Sequence, residues 1–292
     1  MTAELIRGAP IAGALRREVS AAVEAADISP CLVNVVVGDA GASAAYLNAM
    51  DKAATKRGIE SRRVELPGDV NQAALAEAVV ELGNDPRVHG LMIQLPLPKG
   101  LNAGAVTELI PAAKDVDGLT RDSLGAVLAG ERRHTAPATA AAVVEMLCSD
   151  ERFSTAGRHV VIVGRSLVVG RPLAAMLGGY GLGGDATVTL CHSRTPDLAS
   201  YTRQGDIVVM AVGAKHLLTP EMVTPGAIVV DVGTHAIEVD GRWTLTGDVH
   251  PDVAEVAGYL TPVPGGVGTV TTSMLMRHVA AAALPGVLPA AW

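Results

Sequence analysis

The sequence predicts an α/β protein of two domains, each built on a parallel β-sheet with helices packed around it. Three observations support this fold class. The chain has 292 residues, enough for two hydrophobic cores. Short apolar runs rich in valine and isoleucine alternate with stretches whose apolar residues recur at helical spacing. One run, within 157–172, passes through a glycine-containing turn into a helical stretch, an order typical of a Rossmann-like domain.

The composition limits the classes of function. Hydrophobic residues make up 49% and charged residues 18%, which is typical of a globular protein. The net charge of −7 and the lack of a basic stripe argue against nucleic acid as a partner. Three scattered cysteines suggest neither a disulfide framework nor a metal site, and they suit a reducing compartment. With no signal peptide and no apolar run long enough to cross a bilayer, we expect a cytoplasmic protein that does not enter a membrane.

The first predicted domain comprises residues 1–138 together with 272–292. It starts with an amphipathic helix at 11–26, followed by alternating strands and helices. The predicted strands are 31–37, 60–66 and 90–95, and the helices between them are 44–57 and 71–83. Because the order βαβαβ needs crossover helices, we expect a parallel sheet.

The second predicted domain comprises residues 139–271. An irregular stretch at 100–137 precedes it, and a helix at 139–148 bridges the two domains. The predicted strands are 159–163, 186–190, 206–211 and 227–232, with helices between the first three. A last helix, at 271–284, is expected to pack back on the first domain.

The turn after the strand at 159–163 is a candidate anion site. It contains Gly164, Arg165 and Ser166, and a second glycine, Gly170, precedes the next helix. Free backbone N–H groups at a helix start favour a phosphate. Ser166 stands where the second glycine of a dinucleotide fingerprint would be, so both a dinucleotide site and an ordinary strand-to-helix turn stay open.

Ser193 and Arg194 follow the next strand, where an NAD-specific domain usually has an acidic residue. A hydroxyl and a guanidinium, together with Arg165, suit a 2′-phosphate and therefore NADP. The alternative is a solvated loop.

Three polar residues of the first domain are candidates for a ligand site beyond the carboxyl ends of its strands. Gln94 ends an apolar strand, Asp117 lies in the segment KDVDG, and Tyr46 lies on the helix after the first strand. Each has a structural alternative: a glutamine bonded to loop backbone, an aspartate that holds a turn, and a tyrosine that packs.

Together these motifs resemble the methylenetetrahydrofolate dehydrogenase/cyclohydrolase family. The resemblance spans nearly the whole chain and includes the segments QLPLP, KDVDG, GRSLVVGRP and PVPGGVG. It implies two α/β domains flanking a cleft, with tetrahydrofolate on the first and NADP on the second, and a homodimer. The implied folate site contains Tyr46, Gln94, Asp117, Pro264, Gly265 and Gly266, of which the first three are the catalytic candidates. The implied cofactor site contains Gly164, Arg165, Ser166, Gly170, Ser193, Arg194, Thr234 and Thr271.

The sequence departs from the family pattern at the position of the catalytic lysine, four residues after the tyrosine. Met50 stands there, and only the second lysine of the pattern, Lys52, is present. On a helix Tyr46 and Met50 share a face, whereas Lys52 is rotated about 120° from Tyr46. Other departures are Thr269 in place of a proline and the segment 137–142, which reads PATAAA instead of the usual P-C-T-P-x-G.

The family catalyses oxidation of 5,10-methylenetetrahydrofolate and then hydrolysis of the methenyl product. Hydride transfer needs chiefly two rings held face to face, whereas hydrolysis needs an activated water. We therefore expect an NADP-dependent dehydrogenase with weak or lost cyclohydrolase activity, because methionine cannot move a proton. Two alternatives are a degenerate member that binds folate or NADP without turnover, and a dehydrogenase of another small substrate.

Overall fold

The computed structural model describes residues 2–26, 28–39, 41, 44–132, 135–239 and 242–288. The chain divides into two compact units, which we name by their sheets. The three-stranded unit comprises Ala14–Ala138 and Thr272–Trp292, and the six-stranded unit comprises Met1–Gly13 and Thr139–Thr271. The sequence analysis placed the first 13 residues in the other domain. The structure groups them with the six-stranded unit because strand β1 (Glu4–Leu5) pairs with a strand near residue 260.

The sheet of the three-stranded unit is parallel, as predicted, with β2 in the centre and the order β3-β2-β4. Its helices follow the predicted alternation and include two short ones, α4 and α5, in the stretch predicted to be irregular. The elements are α1 (Gly8–Glu24), β2 (Cys31–Val37), α2 (Ala44–Thr55), β3 (Glu60–Leu66), α3 (Gln72–Asn84), β4 (Gly90–Ile93), α4 (Ala103–Thr107) and α5 (Arg121–Ala129). Asn71 caps α3 by accepting the N–H of Ala74, also as predicted.

The sheet of the six-stranded unit is parallel throughout, in the order β1-β11-β8-β7-β5-β6. The elements are α6 (Ala138–Cys148), β5 (His159–Val163), α7 (Gly170–Gly178), β6 (Thr187–Cys191), α8 (Leu198–Thr202), β7 (Ile207–Met210), β8 (Ile228–Asp231), β9 (His235–Val239), β10 (Arg242–Thr246) and β11 (Tyr259–Leu260). The last helix, α9 (Val267–Ala283), begins in this unit and belongs from Thr272 onward to the three-stranded unit. The antiparallel pair β9–β10 and the two-residue strands β1 and β11 were not predicted.

The central strand β2 is buried on both faces, which explains its unbroken apolar composition. Leu32 and Val36 face one cluster, which contains Met50 and the α9 residues Met276 and Val279. The opposite face packs against α3 in a second cluster. The last helix therefore packs on the three-stranded unit, as expected. None of the helices in the described part of the chain is long and apolar enough to span a membrane.

Candidate active site

The two aspartates of the segment KDVDG have different surroundings. Asp115 is 2% exposed, and its carboxylate accepts hydrogen bonds from the backbone N–H groups of residues 118, 119 and 120 and from the Ser123 hydroxyl. Asp115 therefore holds the turn, the role that sequence analysis gave as the alternative for Asp117. Gly118 closes this turn with φ of +69°, and an added Cβ would lie 2.4 Å from the Ala136 carbonyl carbon.

Asp117 is partly exposed, and desolvation, with a smaller contribution from Asp115, raises its carboxyl pKa to about 7. Tyr46 on α2 is 43% exposed as a residue. Desolvation of its hydroxyl, followed by the nearby Asp117 carboxyl, raises the pKa of Tyr46 to about 12. The structure thus brings Tyr46 and Asp117 together. A strongly shifted carboxyl beside a partly exposed phenol is typical of a functional site.

Gln94 directly follows β4, and its side-chain amide donates to the Leu95 carbonyl oxygen at 2.9 Å. This is the loop-backbone contact that sequence analysis considered as its structural alternative. Asp115 forms an isolated parallel bridge with Leu91 of β4. The bridge brings the segment that carries Asp117 beside the strand that ends at Gln94. All three catalytic candidates therefore lie toward the carboxyl edge of one sheet, where open α/β sheets bind ligands.

Met50 is built into a hydrophobic core. It is 1% exposed and packs in the cluster that contains Leu47, Met92 and Val116. Tyr46, one turn earlier on α2, lies outside this buried stripe. Sequence analysis expected the two residues to share one face of the helix. In the structure that face is only partly buried, because Met50 lies inside the apolar stripe of α2 and Tyr46 lies just outside its border. Lys52 is exposed, which agrees with its predicted rotation away from the face that carries position 50. Lys56, further along the same chain segment, is exposed as well.

The segment 137–142, which also departs from the family pattern, contributes to the same cluster as Met50. Ala138, at the start of α6, is 3% exposed and belongs to the Met50 cluster. The alanines at 140, 141 and 142 are also buried. Two positions at which the sequence departs from the family pattern therefore contribute apolar side chains to one core.

The glycine turn of the six-stranded unit is tightly closed. Gly164 has φ of +134°, and a Cβ there would lie 2.2 Å from the Ala211 carbonyl oxygen. A Cβ on Gly170 would lie 1.9 Å from the Gly164 carbonyl oxygen. Ser166 accepts the N–H of Val169 with its hydroxyl and so shapes the turn that leads into α7. The residues present therefore fit the tight strand-to-helix turn of a phosphate-binding loop, because only glycine leaves room for this close backbone packing.

Four candidate cofactor residues follow the carboxyl ends of two neighbouring strands of this sheet. Strands β5 and β6 are parallel neighbours whose last residues, Val163 and Cys191, are paired. Arg165 and Ser166 follow the first strand by two and three residues, and Ser193 and Arg194 follow the second in the same way. All four are exposed. Two guanidinium-bearing residues beside the glycine turn suit an anionic ligand.

The remaining candidates also lie in the six-stranded unit, and their roles stay predictions. Thr234 is exposed and follows β8, while Thr271 donates its hydroxyl proton to the Val267 carbonyl oxygen within α9. Pro264 follows a cis peptide bond, and Gly265 has φ of +103°. Gly266 is packed so that a Cβ would lie 2.6 Å from the Pro262 carbonyl oxygen.

Sequence analysis missed a buried carboxylate behind the cofactor loops. Asp248 is fully buried, accepts the N–H groups of Val212 and Gly213 after β7, and contacts the His235 Nε2 atom at 2.8 Å. It joins the loop that follows β7 to the first residue of β9. The segment GDV, in which Asp248 lies between a glycine and a valine, was the signal that could have identified this residue. Among the described residues, no cluster of histidine, cysteine or acidic side chains could hold a metal ion.

The parallel sheet with a closed glycine turn defines the six-stranded unit as a Rossmann-like nucleotide-binding unit, and the other unit carries the candidate catalytic residues. Two family descriptions match the chain: "Tetrahydrofolate dehydrogenase/cyclohydrolase, catalytic domain" at residues 6–117, and the NAD(P)-binding domain of the same family at residues 137–285. The chain belongs to the tetrahydrofolate dehydrogenase/cyclohydrolase family.

Individual relatives match over nearly their full length. The bifunctional protein FolD of Variovorax paradoxus is 44% identical over 287 residues, covering 97% of this chain and 98% of the relative. The crystal structure of the Campylobacter jejuni FolD enzyme has a TM-score of 0.89 at 36% identity, with 96% and 98% of the two chains covered. The Trypanosoma brucei enzyme, solved with NADP and an inhibitor, has a TM-score of 0.87 at 38% identity, with 96% of each chain covered.

Proposed function

We propose that this protein oxidises 5,10-methylenetetrahydrofolate to 5,10-methenyltetrahydrofolate with NADP, and that hydrolysis of the product to 10-formyltetrahydrofolate is weak or lost. The burial of Met50 is the observation that supports retained oxidation together with weak or lost hydrolysis. Met50 fills, at 1% exposure, the position where the family resemblance implies the catalytic lysine.

The residues for the oxidation step are retained. NADP, when bound, supplies the hydride acceptor. Asp117, Tyr46 and Gln94 offer a carboxyl, a phenol and an amide at one sheet edge, which suits the polar edge of a pterin ring. Arg165 and Arg194 offer guanidinium groups for the 2′-phosphate. The step itself needs orientation of two rings rather than a protein acid or base, so it tolerates the loss of the lysine.

The hydrolysis step lacks its proton-transfer group. Attack of water on the methenyl carbon requires a base that accepts a proton and an acid that helps the adduct collapse. The Met50 thioether can do neither. Lys52 is exposed and lies on a different side of α2, so its amine does not replace the missing one.

Two assays on the purified protein test the proposal. We expect NADPH formation with methylenetetrahydrofolate, and methenyltetrahydrofolate hydrolysis no faster than in buffer alone. Met50→Lys is expected to raise hydrolysis at least about tenfold, since positioned acid–base groups contribute about 10²–10⁴-fold. Met50→Leu is the matched control, which keeps the core apolar and should not raise hydrolysis.

Rapid hydrolysis by the unmodified protein would contradict the loss of the second activity, whatever the variants do. Folate and NADP binding without NADPH formation would instead favour the degenerate member that binds without turnover. The absence of folate binding would favour a dehydrogenase of another substrate. The homodimeric state implied by the resemblance and the cytoplasmic location expected from the composition stay predictions, and light scattering tests the first.

A further inference from the structure

His278 lies on α9 within the three-stranded unit and is 1% exposed. Its Nδ1 atom is 2.9 Å from the carbonyl oxygen of Val116. Because a carbonyl oxygen only accepts, Nδ1 must carry the proton. The other ring nitrogen, Nε2, is buried without a hydrogen-bond partner among the described residues. Among the described residues, the one hydrogen bond of the His278 side chain therefore joins α9 to the backbone of the KDVDG segment.

Burial keeps this imidazole neutral. Burial lowers the pKa of His278 to about 4, and the neighbouring Arg277 acts in the same direction, against opposing effects of the Val116 carbonyl and Asp115. Arg277 is itself paired with Glu18 of α1 at 3.0 Å. The imidazole thus stays an uncharged donor across the neutral pH range, and its hydrogen bond to Val116 persists there.

Val116 lies between the two aspartates and is fixed on several sides. Its side chain packs so closely on Gly90 of β4 that a Cβ at position 90 would lie 2.9 Å from Val116 Cγ1. Asp115, before it, is held by the four hydrogen bonds described above. The Val116 carbonyl group belongs to the peptide that carries the amide nitrogen of Asp117. A bond that fixes this carbonyl fixes the plane of the peptide that leads into Asp117. The next peptide is held by the Gly118 N–H, which donates to Asp115, so the backbone is restrained on both sides of Asp117.

We propose that His278 is a positioning residue for the folate substrate, which acts by holding the Val116–Asp117 peptide so that the Asp117 carboxyl stays beside Tyr46. This inference rests on the proposed function, because it assumes that Asp117 contacts the pterin. It assigns to the last helix a role in substrate geometry that its apolar sequence does not suggest.

Three variants test the inference. His278→Leu keeps an apolar side chain of similar bulk but removes the donor, and we expect the KM for methylenetetrahydrofolate to rise about tenfold or more. His278→Asn supplies an amide N–H for the Val116 carbonyl and should stay within about threefold of the unmodified protein. In an Asp117→Asn background, His278→Leu should cause little further change, because the residue through which it acts is already altered.

Direct titrations separate this outcome from a general loss of structure. NADP affinity should stay unchanged in all variants, since the candidate cofactor residues lie in the other unit. If His278→Leu does not fold, His278→Met carries the same expectation, because its unbranched side chain adapts to the site. Equal folate KM values in the unmodified protein and a folded donor-free variant would overturn the inference. Equal losses in the asparagine and donor-free variants, or full additivity with Asp117→Asn, would overturn it as well. If the unmodified protein binds no folate, the proposed function itself fails.

Discussion

Replacement of Asp117 by asparagine should change how the stability of the protein depends on pH. The carboxyl pKa is raised from 3.8 to about 7 in the folded state. Below pH 4 the group is protonated in both the folded and the unfolded chain, so it causes no loss of stability. As the pH rises to 7, the unfolded chain releases this proton first, and the folded state loses stability relative to it.

The full pKa difference corresponds to about 4 kcal/mol in the free energy of unfolding. Because Asp117 is partly exposed, solvent screening reduces this to about 2 kcal/mol. An asparagine cannot ionise and does not lose this stability. Relative to the unmodified protein, Asp117→Asn should therefore become more stable by about 2 kcal/mol between pH 4 and pH 8.

Urea unfolding of both proteins at intervals from pH 4 to pH 8, followed by circular dichroism, measures this difference. Asp115→Asn is the matched control. It disturbs a carboxylate that accepts four hydrogen bonds, and should be destabilising by about 2–4 kcal/mol. A stability difference between Asp117→Asn and the unmodified protein that does not change with pH would refute the reasoning, since it would mean that Asp117 titrates alike in both states.

Two further variants test the cofactor turn by direct titration with NADP. Gly170→Ala should lower NADP affinity at least about tenfold, because the new Cβ would lie 1.9 Å from the Gly164 carbonyl oxygen and must displace the helix start. Gly125→Ala, where a Cβ meets nothing within 4 Å, is its control and should leave the affinity unchanged. Joint replacement of Arg165 and Arg194 by alanine should weaken NADP binding about 10–100-fold while NAD binding changes little, because both guanidinium groups are predicted to contact the 2′-phosphate. Equal losses for the two cofactors would contradict that assignment.

Much of the fold was predictable because strands such as β2 and β5 are continuous, buried apolar runs, whereas β3 is only partly buried. The predicted ranges 31–37, 60–66 and 159–163 agree with the strands in the structure. Strands β1 and β11 have two residues each and depend on pairing between positions 4 and 259, which no local pattern encodes. The pair β9–β10 has an exposed face with Trp243 and Leu245, so it lacks the apolar run that revealed the central strands.

The candidate site was predictable in its residue types but not in their division of roles. The segment KDVDG offers two aspartates, and only the hydrogen bonds show that Asp115 holds the turn while Asp117 is left to titrate. His278 was missed because a single histidine in an apolar helix is usually a core residue. The role proposed for it depends on contact with a residue 162 positions earlier in the sequence.

The surroundings of Met50 link stability and catalysis at one position. A lysine there would enter the cluster that contains Leu47, Met92 and Val116 and would lose much of its hydration. The same desolvation would lower the pKa of its amine, which is what a general base near neutral pH requires. A methionine suits this core and removes the base. The variant Met50→Lys should therefore gain hydrolysis and lose stability together, by a few kcal/mol as expected for a charge placed in a core. A variant that gained hydrolysis with no loss of stability would show that the lysine amine reaches solvent, and that the apolar cluster does not govern its protonation.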